Sequence, residues 1–246
     1  MDNKEIVFIT GGAGNIARAT IQKYLDNNCI VIATDIHEEN SNSEFAKNSD
    51  YSYYKCDVTN VDDIENLKKQ IEQKYNRLTH IISMAGKAVG TDHDGIENVT
   101  IEDINKTIEI NLLSHIYITR ILLPLLKNDT HDKTITYVSS INALRAWDMP
   151  IYSAAKSGLY GLTKGSLQKL GAIGIRINTI SPGTIPFPWE IEENKKTNGE
   201  LLGRRPKIKY KDFAYNTDIA DSLYAITHVM KKIVGQDIVI DAGQMA

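Results

Sequence analysis

The sequence predicts an α/β fold: a doubly wound parallel sheet of about seven strands, with helices on both faces, in a single domain. Three observations carry it. Short β-branched runs alternate with longer segments of helical period along the whole chain. A glycine-rich turn directly follows the first strand and opens a helix. No long Pro/Gly/Ser linker or low-complexity tract divides the 246 residues. Right-handed crossovers leave few topologies other than the doubly wound one.

Each element has its own signal. Residues 6–9 (Ile-Val-Phe-Ile) form an apolar run of strand length, and 16–25 follows with helical spacing. Residues 30–33 (Ile-Val-Ile-Ala) read as strand two, and 52–56 as a weaker third strand. Between 61 and 75, Val61, Ile64, Leu67, Ile71 and Tyr75 recur at helical intervals. Residues 80–84 read as strand four, 101–126 as one long helix or two joined, and 134–138 as strand five. A helix over 153–170, strand six over 175–180, a helix over 218–230 and a strand over 237–240 complete the alternation. The segment 184–217 breaks the rhythm, with three of the six prolines and no clear period. A loop this long inside a compact domain reads as a substrate lid.

Composition narrows the function classes. Lys and Arg total 28 against 31 Asp and Glu, a net charge of −3 without the basic excess of a nucleic-acid binder. Two isolated cysteines, Cys29 and Cys56, cannot build a zinc framework or a disulfide scaffold, so no metal site is expected. Their scarcity fits a reducing cytoplasm. The first residues lack the basic and apolar regions of a signal peptide. The apolar stretch 116–126, interrupted by Thr119, Arg120 and Pro124, is short of the roughly 20 residues of a membrane span. No membrane or nucleic-acid partner is expected.

The first chemical motif is Thr10-Gly11-Gly12-Ala13-Gly14-Asn15-Ile16-Ala17. Its glycines let the backbone turn tightly and approach a pyrophosphate seated on the N–H groups of a helix N-terminus. Asp35 closes strand two. An acid there accepts hydrogen bonds from the ribose hydroxyls of adenosine and repels a 2′-phosphate. Ile36 and His37 follow it, with no Arg or Lys. Gly11, Gly14, Asn15, Ile16, Asp35 and Ile36 therefore read as a dinucleotide site, with NAD favoured over NADP. The plainer reading of Asp35 is a turn cap, and Arg18 reads as a solvated helix residue.

The second motif is Tyr152-Ser153-Ala154-Ala155-Lys156. Tyr and Lys four apart share a helix face. A nearby ammonium favours the phenolate, so the phenol is expected below its usual pKa of about 10. Tyr152 is then a plausible proton carrier for an alcohol–ketone pair. Ser139-Ser140 at the end of strand five and Asn111 in an apolar helix add polar groups where doubly wound sheets bind ligands.

Together these residues resemble the short-chain dehydrogenase/reductase family, in its short branch. The resemblance spans residues 6–243. It rests on the turn at 10–17, Asp57-Val58, Ser83-Met84-Ala85-Gly86, Asn111, Ser139-Ser140, Tyr152 with Lys156, Asn178-Thr179-Ile180-Ser181-Pro182-Gly183, Asp218-Ile219-Ala220, and Gly235-Gln236 with Asp241-Ala242-Gly243. It implies a Rossmann-like fold and an NAD-dependent oxidoreductase interconverting a secondary alcohol and a ketone. Tyr152 would be the general acid/base. Lys156 would bind the nicotinamide ribose and keep Tyr152 partly ionised. Asn111 would position a water linking Lys156 to solvent. A serine would meet the substrate oxygen. The ending Tyr137-Val138-Ser139-Ser140 matches the family's, whose second serine is the catalytic one, so Ser140 is expected to be that serine, although the family's usual spacing to the tyrosine points to Ser139. Asp57 and Val58 would meet the adenine, Ala85 and Gly86 the ribose, and Pro182 and Gly183 the nicotinamide, with Ile185 also in the cofactor site. The family's matching helices form dimers or tetramers, which implies a homo-oligomer.

The chain also departs from that pattern. Asn15 and Ala17 stand where glycine is usual; Asn15 is expected to keep the turn because Asn tolerates left-handed backbone. The Gly11, Gly14, Ala17 spacing resembles the family's extended branch. Only 90 residues follow Lys156, too few for that branch's C-terminal domain. Ser83-Met84 replaces the usual Asn-Asn, so a sheet-stabilising hydrogen bond is expected to be lost. Pro186-Phe187-Pro188-Trp189 replaces the usual carboxamide-binding Thr.

Candidate pocket residues are Lys87, Trp147, Met149, Phe187, Trp189 and Tyr215. The basic cluster Arg204, Arg205, Lys207, Lys209 and Lys211 reads either as an anion holder or as a solvated loop. The leading function is an NAD-dependent oxidoreductase of a small polar substrate, such as a polyol, sugar or hydroxy acid. Two alternatives stand beside it: a non-catalytic cofactor-binding or structural protein, and a 3-oxoacyl thioester reductase. The second alternative is disfavoured by Asp35, because that activity typically uses NADPH.

Overall fold

The computed structural model of the chain describes residues 4–40, 43–145, 149–186, 191–192, 210 and 213–246. Its sheet has seven parallel strands: β1 (Ile6–Thr10), β2 (Ile30–Asp35), β3 (Tyr51–Lys55), β4 (His80–Ser83), β5 (Lys133–Val138), β6 (Ile175–Pro182) and β7 (Asp237–Ile240). Their order is β3-β2-β1-β4-β5-β6-β7. The chain therefore runs outward from β1 to β3, then returns to β4 on the other side of β1. That reversal opens a crevice at the carboxyl ends of β1 and β4.

Alternation along each strand feeds two cores. Phe8, Ile32, Ile81, Ile135 and Ile177 point to one face. They meet Leu67 and Ile71 of α2 (Val61–Lys74), Leu122 and Leu125 of α4 (Ser114–Lys127) and Leu159 of α5 (Pro150–Gly171). Val7, Ile9, Val31, Ala33, Ile82 and Ile180 point to the other. There they meet Ile21 and Tyr24 of α1 (Asn15–Asp26) and Ile219 and Leu223 of α6 (Asn216–Tyr224). Burial on both faces explains why these strands are almost continuously apolar.

Several boundaries differ from the sequence reading for local reasons. β4 stops at Ser83, because Met84 N and Ala85 N donate to Thr10 Oγ1 at 2.9 and 3.0 Å. α5 starts at Pro150, three residues earlier than expected. Proline suits the first helical turn, and the Asp92 carboxylate accepts from Ile151 N and Tyr152 N at 2.9 and 2.8 Å. The region 101–126 is α3 (Ile101–Ile108) and α4 joined by a π turn, Glu109–Leu113. Residues Ile101–Lys127 are long and apolar enough to cross a membrane by length and composition alone. Here Ile118, Leu122, Leu125 and Leu126 are buried in the core of the fold. A second π turn, Ala225–Val229, ends α6.

Asn15 does not act as the left-handed residue of the glycine turn. That backbone belongs to Gly11 (φ +75°), and Asn15 is the first residue of α1. Cys29 precedes β2 and Cys56 follows β3; burial pushes both thiols up to about 12. Of the proposed lid 184–217, only residues 184–186, 191–192, 210 and 213–217 are described. Trp147, Phe187, Trp189 and the basic cluster Arg204, Arg205, Lys207, Lys209 and Lys211 lie outside the described residues.

Candidate active site

The crevice is a cleft of about 610 Å³. Gly11, Gly14, Asn15 and Ile16 line it from the turn, and Asp35 and Ile36 from the end of β2. Asp57 and Val58 line it after β3, Ala85 and Gly86 after β4, and Ile185 after β6. Gly11 must be glycine twice over: its φ is positive, and a Cβ would lie 3.2 Å from Ala85 Cα. No side chain caps α1, so its first-turn N–H groups remain for an anionic ligand. Asp35 caps the turn and also lines the cleft, accepting from Ala13 N at 3.2 Å and His37 N at 3.1 Å. Arg18 is not merely solvated; it pairs with Glu44 and lies over the Phe45 ring. Pro182 and Gly183 do not line the cleft. Gly183 N donates to Ile240 O at 2.8 Å, and a Cβ there would come 2.7 Å from Asp241 Cα. A backbone cradle, uncapped N–H groups and a carboxylate at the second strand fit a dinucleotide.

Beyond Gly86 the polar side chains gather. An added Cβ on Gly86 would stand 2.7 Å from Asn111 Oδ1 and 2.9 Å from Lys156 Nζ. Asn111 sits in the π turn with both amide atoms engaged. Nδ2 donates to Lys87 O (2.8 Å) and Thr107 O (3.0 Å), and Oδ1 accepts from Lys87 N (3.0 Å). Lys156 Nζ donates to Val138 O at 3.0 Å and lies 5.7 Å from the Tyr152 ring centre. The two serines separate cleanly. Ser139 Oγ donates to Lys156 O at 2.9 Å and is buried. Ser140 is the serine hydrogen-bonded to the Tyr152 side chain, and its Oγ accepts from Asn142 N at 3.2 Å.

The electrostatics correct one expectation. Tyr152 is raised above its ordinary value rather than lowered, because burial outweighs the hydrogen bond from Ser140. Lys156 cannot pull it down, since burial lowers Lys156 itself to about 7. Near neutrality the ammonium is thus only partly populated.

A family model described as enoyl-(acyl carrier protein) reductase matches residues 11–245. The chain belongs to the short-chain dehydrogenase/reductase family. Short-chain dehydrogenase reductase 3b of Arabidopsis thaliana is 27% identical, over 99% of this chain and 96% of its own. The 3-oxoacyl-(acyl-carrier-protein) reductase FabG of Thermotoga maritima is 26% identical, over 97% of both chains. A short-chain dehydrogenase from Leptospira borgpetersenii, solved with bound NAD+, superposes with a TM-score of 0.83 at 24% identity, covering 99% of this chain and 93% of that one.

Some residues of this dehydrogenase/reductase site escape sequence reasoning. Asp92 is fully buried beneath the start of the tyrosine helix. It lies in a polar run, Thr91-Asp92-His93-Asp94, that carries no distinguishing signal. Asn142 orients Ser140 through its backbone, which no side-chain pattern reveals. His115 was detectable, since it lies four residues after Asn111 on the same helical face. Its Nδ1 and Ser83 Oγ are 2.7 Å apart, so Ser83 makes a buried bond of its own where the sequence reading expected one to be lost.

Proposed function

We propose that the protein is an NAD-dependent oxidoreductase that interconverts a secondary alcohol and a ketone on a small polar substrate of polyol, sugar or hydroxy-acid type. The observation that carries this reading is the Tyr152–Ser140 pair beside Lys156 at the Gly86 end of the cleft. When bound, the nicotinamide supplies or accepts a hydride. The chain's own groups do the rest. Tyr152 Oη gives a proton to a carbonyl oxygen or takes one from an alcohol. A phenol held protonated by burial suits the reductive direction. Ser140 Oγ, braced by Asn142 N–H, hydrogen-bonds the same oxygen and fixes its distance from Oη. Lys156 holds the nicotinamide ribose. Asn111 fixes the backbone of Lys87 beside it and is the group through which water would reach Lys156. Asp35 and the engagement of Arg18 by Glu44 support NAD over NADP. Lys87, at the cleft, supports a polar or anionic substrate. Self-association through α4 and α5, in the cytoplasm, completes the reading.

The test is a panel of polyols, aldoses, hydroxy acids and secondary alcohols with NAD+ and NADP+, followed by the absorbance of the reduced nicotinamide. Turnover with NAD+ that disappears in Tyr152→Phe is expected. NAD+ binding without turnover of any panel member would favour a non-catalytic cofactor-binding protein. The Thermotoga relative motivates a second reading, 3-oxoacyl thioester reduction. Preferential reduction of an acetoacetyl thioester with NADPH would establish it in place of the first.

A further inference from the structure

At the amino-terminal ends of the central strands β1 and β4, opposite the cleft, three residues from distant parts of the chain converge. Glu5 immediately precedes β1, His80 opens β4, and His228 lies in the π turn after α6. One oxygen of Glu5 faces both rings, 2.5 Å from His228 Nε2 and 3.5 Å from His80 Nε2. A ligand atom from each residue lies within 4.8 Å of the others. We propose that Glu5, His80 and His228 form a site for one divalent transition-metal ion of the zinc type, which ties the amino-terminal edge of the sheet to the end of α6.

The chemistry of the donors carries this. Both imidazoles present Nε2 inward, and each Nδ1 is held from behind by a threonine hydroxyl: Thr134 for His80 (2.9 Å) and Thr227 for His228 (2.7 Å). Thr227 Oγ1 is itself held by Leu223 O at 3.0 Å, Tyr224 O at 3.1 Å and Tyr24 Oη at 2.7 Å. The contact at Nδ1 holds the ring with Nε2 toward Glu5. Such outer partners are what orient metal-ligating histidines. The turn that presents His228 is itself braced. Arg176 donates to Ile226 O (2.9 Å) and Thr227 O (2.8 Å), and the His228 ring stacks on Tyr224 with centroids 4.2 Å apart.

An ordinary ion pair accounts for only part of this. The Glu5–His228 contact is a good hydrogen bond, but His80, 1% exposed, reaches the same oxygen only at the outer limit. In a tetrahedral zinc site the donor atoms are about 3.3 Å apart, so the cluster needs only small adjustments around an ion that replaces the proton between Glu5 and His228. Two imidazoles select zinc, cobalt, nickel or copper over magnesium or calcium. Cys29 Sγ, 3.8 Å from His228 Nε2, is a further soft atom beside the cluster. Sequence spacing gave no metal motif because the three ligands are separated by 75 and 148 residues.

The experiment strips the full-length protein with chelator and titrates Zn2+ against a chromophoric competitor, with Tm read in parallel. Expected are one equivalent bound and a Tm that rises with Zn2+ but not with Mg2+. Glu5→Gln and His228→Gln should each weaken binding by at least tenfold, about the lower bound for disturbing even an outer partner. Both variants should keep NAD+ binding, which shows that they fold. Thr227→Val, which leaves all three ligands in place, should weaken Zn2+ by about 10- to 100-fold and covers the case in which a ligand variant does not fold. Absence of stoichiometric Zn2+ binding in the wild-type protein, or equal affinity in folded variants, would overturn the proposal.

Discussion

Tyr152, Ser140 and Lys156 divide one problem, the handling of a proton in a buried place. Tyr152→Phe removes the proton carrier and keeps the ring, so kcat/KM should fall by about 10²- to 10⁴-fold while NAD+ binding by fluorescence titration stays unchanged. Lys156 shows the cost of the arrangement. Its pKa falls from 10.5 in the unfolded chain to about 7 in the fold, so the unfolded state binds more protons between those values. Stability therefore rises with pH across that window, and below pH 7 the full penalty of the buried charge remains. That penalty exceeds the roughly 1–3 kcal/mol of leaving Val138 O without its donor. Lys156→Met should thus melt higher than wild type at pH 7 by about 1–3 kcal/mol of stability, lose that advantage toward pH 10, and abolish turnover. The identities of Tyr152 and Lys156 were legible, because helical spacing alone puts them on one face. The direction of the phenol's shift was not, because it depends on burial that spacing does not encode.

Short elements set where those side chains stand. The tyrosine helix begins on Asp92, whose two oxygens take the N–H groups of Ile151 and Tyr152. Asp92→Ala strands two half-buried donors and should cost about 1–3 kcal/mol in denaturant melts, with a loss of kcat larger than any change in KM for NAD+. Gly86→Ala puts a methyl into the space of Asn111 Oδ1 and Lys156 Nζ. It should lower kcat at least as strongly as the Asp92 change and cost about 1–3 kcal/mol in stability. The helix over 101–126 was legible as apolar periodicity. Its π turn was not, because the cause is local: the Asn111 amide takes the Thr107 carbonyl and the Lys87 backbone, a competition that no propensity scale records.

For the whole molecule, alternation of strands and helices was enough to predict seven strands and their parallel sense, since crossover handedness leaves little choice. Contacts between the ends of distant strands were not legible; Glu5, His80 and His228 meet only once the sheet is built. The helical faces of α4 and α5 lead to an assembly prediction: light scattering should give a mass of two or four chains. The two thiols gain a use from their positions at opposite ends of two neighbouring strands, Cys29 before β2 and Cys56 after β3. With both held near 12, almost no thiolate exists at neutral pH, and alkylation must wait for local opening. Cys56 borders the nucleotide cleft, and Cys29 adjoins His228. NAD+ should slow labelling of Cys56 alone and zinc that of Cys29 alone, so peptide mass mapping of a single sample reads the occupancy of each end separately.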